Sequence, residues 1–164
     1  GNGRDLAAFC RLGHKAEGLE PCEQLATEAR EVSGAIVHSV DFYAMAEGCL
    51  GQYGDPPSSS GQFHGIFCLA ALHHLPREEL LGVIRTLCGM TRVGGVMLAT
   101  MPLAKSRFED ADRMNADGRW RNCMSMNQFF RALHKAGWEV LSMDSLRIYD
   151  SPAYAAVCRR PEVH

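Results

Sequence analysis

Long apolar runs are missing from this 164-residue sequence: no stretch approaches the length of a membrane-spanning helix, and no signal peptide is visible. Charge of one sign is missing as well. The 17 basic and 19 acidic side chains leave a net charge of −2, which argues against a nucleic-acid or anionic-membrane surface spread over the chain. Cysteine pairs are also absent. The seven cysteines, an odd number, lie scattered at positions 10, 22, 49, 68, 88, 123 and 158, with no CxxC and no zinc-ligand spacing. They read as free thiols of a reducing, cytoplasmic compartment, and no metal site is expected. An initiator Met is lacking, and Gly1 falls inside a glycine-rich loop, so an N-terminally incomplete domain is expected. With 46% of residues apolar, positions 1–164 hold enough to form one domain core.

The most patterned stretch runs from Phe63 to Pro102 and reads strand, loop, helix, turn, strand. Gly65 to Leu69 is a short apolar run suited to a buried strand. Pro76 opens a helix, because a missing N–H costs nothing in a first turn, and Glu78 and Glu79 sit where the helix dipole favours negative charge. Leu80, Leu81, Val83, Ile84, Leu87 and Cys88 then recur at helical spacing, with Gly89 as the expected stop. Arg92-Val93-Gly94-Gly95 makes a turn, and Val96 to Thr100 is a second strand. Two parallel strands with a crossover helix form a βαβ unit. The loop leaving its first strand, Ala70 to Leu75, lies at the carboxyl edge, where ligands bind in open α/β sheets.

Before it, Gly1-Asn2-Gly3 leads into a helix carrying Leu6, Phe9 and Cys10 on one face and ending at Gly13. The glycines suit either close approach of the backbone to a ligand or an ordinary turn. A dinucleotide fingerprint is disfavoured, because position 6 is Leu6 where GxGxxG needs glycine. A strand from Lys15 to Leu19 ends at Glu20-Pro21. Glu20 there can accept from two ribose hydroxyls or can simply begin the next helix, Gln24 to Arg30, whose apolar face is Leu25, Ala26 and Ala29. Glu17 inside that strand must find a partner, snorkel or lie on an edge. A strand from Ala35 to Val40 ends at Asp41-Phe42, which reads as an adenine contact or as a turn acid beside a core aromatic.

The Gly-, Pro- and Ser-rich segment between Glu47 and Gln62 reads as a mobile surface loop. The densely charged run from Lys105 to Arg121 reads as a solvated connection or a lid. Ser125 and Gln128 are spaced as a capping box for a helix through Lys135, with Phe129, Phe130 and Leu133 facing the core and Gly137 ending it. Trp138 to Met143 and Tyr154 to Cys158 supply an antiparallel pair of strands.

Taken as an ordered set, GNGRD, GLEP, Asp41, LAALHHLP and RVGG resemble the motifs of the class I S-adenosylmethionine-dependent methyltransferases, from Gly1 to Arg159. The resemblance implies an α/β, Rossmann-like open sheet with helices on both faces, in the order 3-2-1-4-5-7-6 with strand 7 antiparallel and strand 1 absent from this sequence. It implies S-adenosylmethionine as cofactor, leaving as S-adenosylhomocysteine. Gly1 and Gly3 fall in the cofactor loop, Glu20 and Pro21 at the ribose, and Asp41 and Phe42 at the adenine. The backbone carbonyls of Leu69 and Ala70 fall at the methionyl ammonium. His64 stands where the family often has an acid, and Val93 where it has proline.

The sulfonium makes the methyl electrophilic, so the protein has chiefly to align a nucleophile and exclude water. His73 or His74 can take a proton from an oxygen or nitrogen acceptor, or can cap or pack the loop instead. Methyl transfer to a small molecule is the leading expectation, with Tyr43 to Gln62 and Ala104 to Met124 shaping the acceptor pocket. A non-catalytic module acting as a partner or regulatory subunit is the second. RNA methylation is the third, and it would need a basic strip of Lys105, Arg107, Arg113, Arg119 and Arg121.

Overall fold

The computed structural model describes residues 1–46, 63–104, 112–148 and 151–162. The expected loop between Glu47 and Gln62 therefore lies outside the described residues. The chain divides into two compact units, Gly1–Ser58 and Ser59–His164.

In the N-terminal unit, helix α1 (Arg4–Arg11) starts from Gly3, whose φ of 82° is left-handed, and ends with Gly13 at φ 86°. A Cβ on Gly3 would lie 2.6 Å from Ala29 Cα. Glycine is therefore required here to let the start of α1 approach helix α2 (Glu23–Ser33). Strands β1 (Gly18–Leu19) and β2 (Val37–His38) pair in parallel and are shorter than the apolar runs in the sequence. Backbone bonds from Gly18 N–H to the Ile36 carbonyl (2.9 Å) and from Glu20 N–H to the His38 carbonyl (3.1 Å) prolong the ladder at each end. Ala26, Ala29 and Val37 form the small core with Leu6 against it, whereas Leu25, expected on the buried face, is 37% exposed. Glu17 finds its partner in His38, whose Nε2 lies 3.1 Å from Glu17 Oε2. Helix α3 (Phe42–Ala46) follows β2, and Asp41 Oδ1 accepts from the Ala44 N–H at 2.8 Å.

The C-terminal unit is a four-stranded sheet in the order β3-β4-β8-β7, made of β3 (Phe63–Cys68), β4 (Thr91–Pro102), β7 (Glu139–Ile148) and β8 (Ser151–Arg159). β3 and β4 are parallel, and β8 is antiparallel to both β4 and β7. This is the 4-5-7-6 part of the expected order with its reversed strand. Helix α4 (Arg77–Met90) makes the crossover, running past Gly89 rather than stopping there. The expected RVGG turn is a bulge inside β4: β3 advances from Phe63 to Gly65 while its partner advances from Thr91 to Val96. Gly94 supplies the φ of 75°, and a Cβ on Gly95 would meet Thr91 Cγ2 at 2.6 Å.

Helix α5 (Met126–Lys135) carries the expected capping box: Ser125 Oγ accepts from Gln128 N–H at 3.3 Å, and Gln128 Oε1 accepts from Ser125 N–H at 2.7 Å. Phe129 and Leu133 are fully buried, but Phe130 is 44% exposed and does not face the core. Met97, Ala99 and Met101 of β4 alternate inward, and α4 and α5 pack against one another. Trp138 joins that core, its indole N–H donating to the Ile84 carbonyl at 3.2 Å. Burying side chains of this size contributes about 1.5–3 kcal/mol each. Among the described residues no helix is long and apolar enough to cross a membrane.

Part of the run read as a solvated connection is a hairpin. Strands β5 (Asp112–Met114) and β6 (Trp120–Asn122) pair antiparallel around a turn in which Gly118 has φ 77°.

Candidate active site

Parallel β3 and β4 end at the same sheet edge, and antiparallel β8 brings its first residues there. A cavity of about 340 Å³ opens at that edge, with Ala70, His73, His74, Thr100 and Ser151 in its wall and the β5–β6 hairpin closing one side. Ala70 is the one non-glycine with positive φ (51°) among the described residues, and its N–H donates to Thr100 Oγ1 at 2.8 Å. A left-handed alanine costs about 1–2 kcal/mol, so the neighbouring structure must hold it there.

The histidines follow on a single 3₁₀ turn, Leu72–His74. Leu72 and Leu75 are buried at 0% and 3% exposure, which anchors the turn at both ends and leaves the intervening imidazoles for the cavity wall. Their rings lie 3.9 Å apart, tilted by 40°. His74 Nδ1 is 3.0 Å from the Trp120 carbonyl. A carbonyl only accepts, so Nδ1 carries the proton and the neutral ring keeps its lone pair on Nε2. His73 Nδ1 is buried without a hydrogen-bond partner among the described residues. Burial pushes the His73 pKa down to about 4, helped by His74 and by the charges of Arg121 and Arg119, so the ring is neutral at physiological pH.

The hairpin is strapped to this loop by Asp112, whose Oδ1 accepts from the Arg77 N–H (3.0 Å) and from Trp120 Nε1 (2.6 Å). Arg77 Nη2 donates in turn to the Cys123 carbonyl at 3.0 Å, and fully buried Asn122 lies at the end of β6. Asn115, Arg119, Trp120 and Arg121 thereby enter the cavity wall. All four fall in the stretch from Ala104 to Met124 expected to shape an acceptor pocket, and Arg119 and Arg121 in the basic strip; what the sequence pattern did not single out is the hairpin that presents them, although Asp117-Gly118 is a turn signal from which it could be read.

Of the residues proposed from sequence for the cofactor, Gly1 and Glu20 meet: the amino group of Gly1 donates to Glu20 Oε2. Glu20 Oε1 also accepts from the Cys22 N–H at 2.9 Å, just ahead of α2, so the helix-start reading of this acid is visible as well. Pro21 is exposed beside it, and Phe42 is half-buried at the start of α3. Gly3 is spoken for by Ala29, and one oxygen of Asp41 by its cap. Ala70 lies in the cavity wall and Leu69 immediately before it. Of the basic strip, Arg113, Arg119 and Arg121 lie on the hairpin, while Lys105 and Arg107 fall outside the described residues. No group of His, Cys, Asp and Glu among the described residues could hold a metal ion.

No protein-family model matches the chain, and no curated protein matches it in sequence. Solved structures do match in fold. The 1,6-didemethyltoxoflavin-N1-methyltransferase of Burkholderia thailandensis, solved with 1,6-didemethyltoxoflavin and S-adenosylhomocysteine, is 15% identical with a TM-score of 0.76, over 99% of this chain and 68% of that one. The N-methyltransferase NodS of Bradyrhizobium japonicum, solved with S-adenosylhomocysteine, is 12% identical with a TM-score of 0.69, over 98% of this chain and 74% of that one. A complex between the Haloferax volcanii Trm112 methyltransferase activator and a candidate methyltransferase matches at 13% identity and a TM-score of 0.75, over 100% of this chain and 80% of that one. At such identities the likeness is one of fold. The chain has the class I S-adenosylmethionine-dependent methyltransferase fold, a mixed α/β sheet flanked by helices.

Proposed function

We propose that this chain binds S-adenosylmethionine and directs its methyl group to an oxygen or nitrogen of a small molecule held in the cavity beside His73 and His74. The observation that carries the reading is His73, a neutral imidazole whose buried Nδ1 has no hydrogen-bond partner among the described residues, on the wall of a cavity at the carboxyl edge of a methyltransferase-fold sheet. A buried polar atom left unpaired calls for an explanation, and a cleft residue whose pKa is strongly shifted by burial and neighbouring charges is a candidate for a functional one.

The donor set suits the cofactor. In the N-terminal unit Glu20, beside Gly1 and Pro21, supplies a carboxylate for the ribose hydroxyls, and Asp41 with Phe42 supplies a carboxylate and an apolar face for adenine. In the C-terminal unit the carbonyls of Leu69 and Ala70 are acceptors for the methionyl ammonium. When bound, the cofactor supplies a methyl on a sulfonium, which leaves as a neutral thioether. The chain's own work is to hold the acceptor in line, keep water out and take its proton on His73 or on His74 Nε2. Calorimetric titration with S-adenosylmethionine and S-adenosylhomocysteine tests the reading directly. Failure of both to bind, in a chain with a cooperative melt, sinks it.

A second reading, a fold kept as a partner subunit, is favoured by the Trm112 activator complex among the fold neighbours. It predicts a chain that associates with a partner chain but neither binds S-adenosylmethionine nor turns over any acceptor.

A further inference from the structure

We propose that Asp112 is a positioning residue for His74: acting through Trp120, it selects the tautomer that leaves His74 Nε2 open to take the acceptor's proton. The inference deepens the methyl-transfer reading and rests on it for the use made of that proton transfer.

Three hydrogen bonds and one short stretch of chain close a ring. His74 Nδ1 donates to the Trp120 carbonyl at 3.0 Å, Trp120 Nε1 donates to Asp112 Oδ1 at 2.6 Å, and the same oxygen accepts from the Arg77 N–H at 3.0 Å. From Arg77 the chain returns to His74 through Pro76 and Leu75. That return is stiff. Pro76 fixes its own φ, here −54°, and confines the residue before it to extended backbone, where Leu75 sits at ψ 141° with its side chain buried. The Arg77 N–H belongs to the first turn of α4, whose N–H groups lack intrahelical acceptors, and the helix dipole favours a carboxylate there.

Asp112 acts at one end of β6 and other bonds act at the other. The Asn122 end is tied to the loop by Arg77 Nη2, which donates to the Cys123 carbonyl (3.0 Å) and to Asn122 Oδ1 (3.3 Å), and by Asn122 Nδ2, which donates to the Leu75 carbonyl at 3.4 Å. Trp120 begins the strand, and its indole bond to Asp112 fixes the residue whose carbonyl His74 uses. Removing the carboxylate therefore leaves the hairpin attached but releases Trp120. Which ring nitrogen of a histidine carries the proton is set by the bond the other one makes. A free imidazole side chain in water prefers the Nε2–H form, so the Nδ1–H form of His74 has to be selected. In that form Nε2 takes the proton of the acceptor's O–H or N–H, the bonding pair stays on the acceptor atom for the methyl, and the imidazolium keeps its Nδ1–H on the Trp120 carbonyl. His73 Nδ1 has no hydrogen-bond partner among the described residues, so no such selection acts on it there.

The test reads the ring nitrogens of the whole chain. Long-range nitrogen–proton correlation spectra of histidine-labelled protein are recorded in buffer alkaline enough to keep imidazoles neutral, with His74 assigned by the signals lost in His74→Gln. The parent should show His74 protonated at Nδ1. Asp112→Ala should move the Nδ1 resonance toward the unprotonated range and the Nε2 resonance toward the protonated one, as the Nε2–H form enters. Asp112 is exposed, so this variant opens no core. Asp112→Asn, whose amide oxygen still accepts, should keep the parent pattern. Trp120→Phe retains the carbonyl and loses the indole N–H; it should shift as Asp112→Ala does, and it decides the matter if the alanine variant fails to fold. A merely structural Asp112 would lower the melting temperature without moving the ring resonances. A parent protonated at Nε2, or a His74 that neither Asp112→Ala nor Trp120→Phe moves, overturns the inference. Calorimetry with S-adenosylhomocysteine in parallel separates the two claims. Cofactor binding with an unmoved tautomer sinks the inference alone, and a tautomer that switches in a chain that binds no cofactor sinks the methyl-transfer reading alone.

Discussion

Ala70 donates its backbone N–H to Thr100 Oγ1 at 2.8 Å, and this bond ties the left-handed residue leaving β3 to the carboxyl end of β4. Thr100 is 1% exposed, so the bond is made inside the fold. Thr100→Val should cost about 1–3 kcal/mol by leaving that N–H unpaired, whereas Thr100→Ser should cost less. Ala70→Gly, which accepts positive φ freely, should stabilise by up to about 1 kcal/mol. Urea denaturation measures all three, and a Thr100→Val protein as stable as the parent refutes the role given to this bond.

His73 sets an acid limit. Its ordinary pKa of 6.5 falls to about 4 in the folded chain through burial, His74 and the two arginines. Between those values the unfolded chain binds the extra proton and the folded one does not. The contribution is therefore fully present above pH 6.5 and is lost as pH falls toward about 4. The loss is a few kcal/mol at most, reduced because part of the ring meets solvent. His73→Asn should flatten this limb of the stability–pH curve. An NMR titration placing the His73 midpoint near 6.5 would refute it.

The thiols should divide sharply. Burial pushes Cys68 and Cys158 up to about 12, and Cys88 upward as well, while Cys123 is 3% exposed. Cys22 is exposed and Cys10 half-buried. Among the cysteines of the described residues, brief alkylation of the folded chain at neutral pH, read by peptide mass spectrometry, should mark Cys22 first and Cys10 more slowly. It should leave Cys68, Cys88, Cys123 and Cys158 unmodified until denaturant is added.

Glu20→Gln keeps the shape of the side chain and removes the charge. If the carboxylate holds ribose hydroxyls, affinity for S-adenosylhomocysteine should fall by about 1–3 kcal/mol with little change in melting. Asp41→Asn should weaken it less, because one Asp41 oxygen is already committed to capping α3 and an amide oxygen can still cap. Unchanged affinity in both variants would remove the N-terminal acids from the site.

The crossover from β3 through α4 to β4 was legible because its apolar residues repeat at the helical period, and the start of α5 because a capping box is a local code. The β5–β6 hairpin was not. Its three-residue strands are largely exposed, so no alternation of apolar residues marks them, and Asp112 earns its place through Arg77, 35 residues away in sequence. Thr100 was invisible for the same reason: its partner Ala70 is 30 residues distant. His73 and His74 were readable as candidates by residue type, but nothing local says that one ring would be stripped of its proton and the other held to one tautomer by Trp120. Phe130 and Leu25 looked like core residues by period and are exposed, since the helix faces they extend are wider than the surfaces covering them.

The residues that fix the cavity's frame are largely not those that colour its interior. Leu72, Leu75, Asn122 and Asp112 hold the 3₁₀ turn and the hairpin, and none of them is in the wall. His73, Asn115, Arg119, Arg121 and Ser151 are in the wall and are absent from the hydrophobic core. A library randomised at those five positions should therefore yield mostly folded proteins with altered ligand preference, which makes this edge of the sheet a place to re-engineer selectivity without first rebuilding the scaffold.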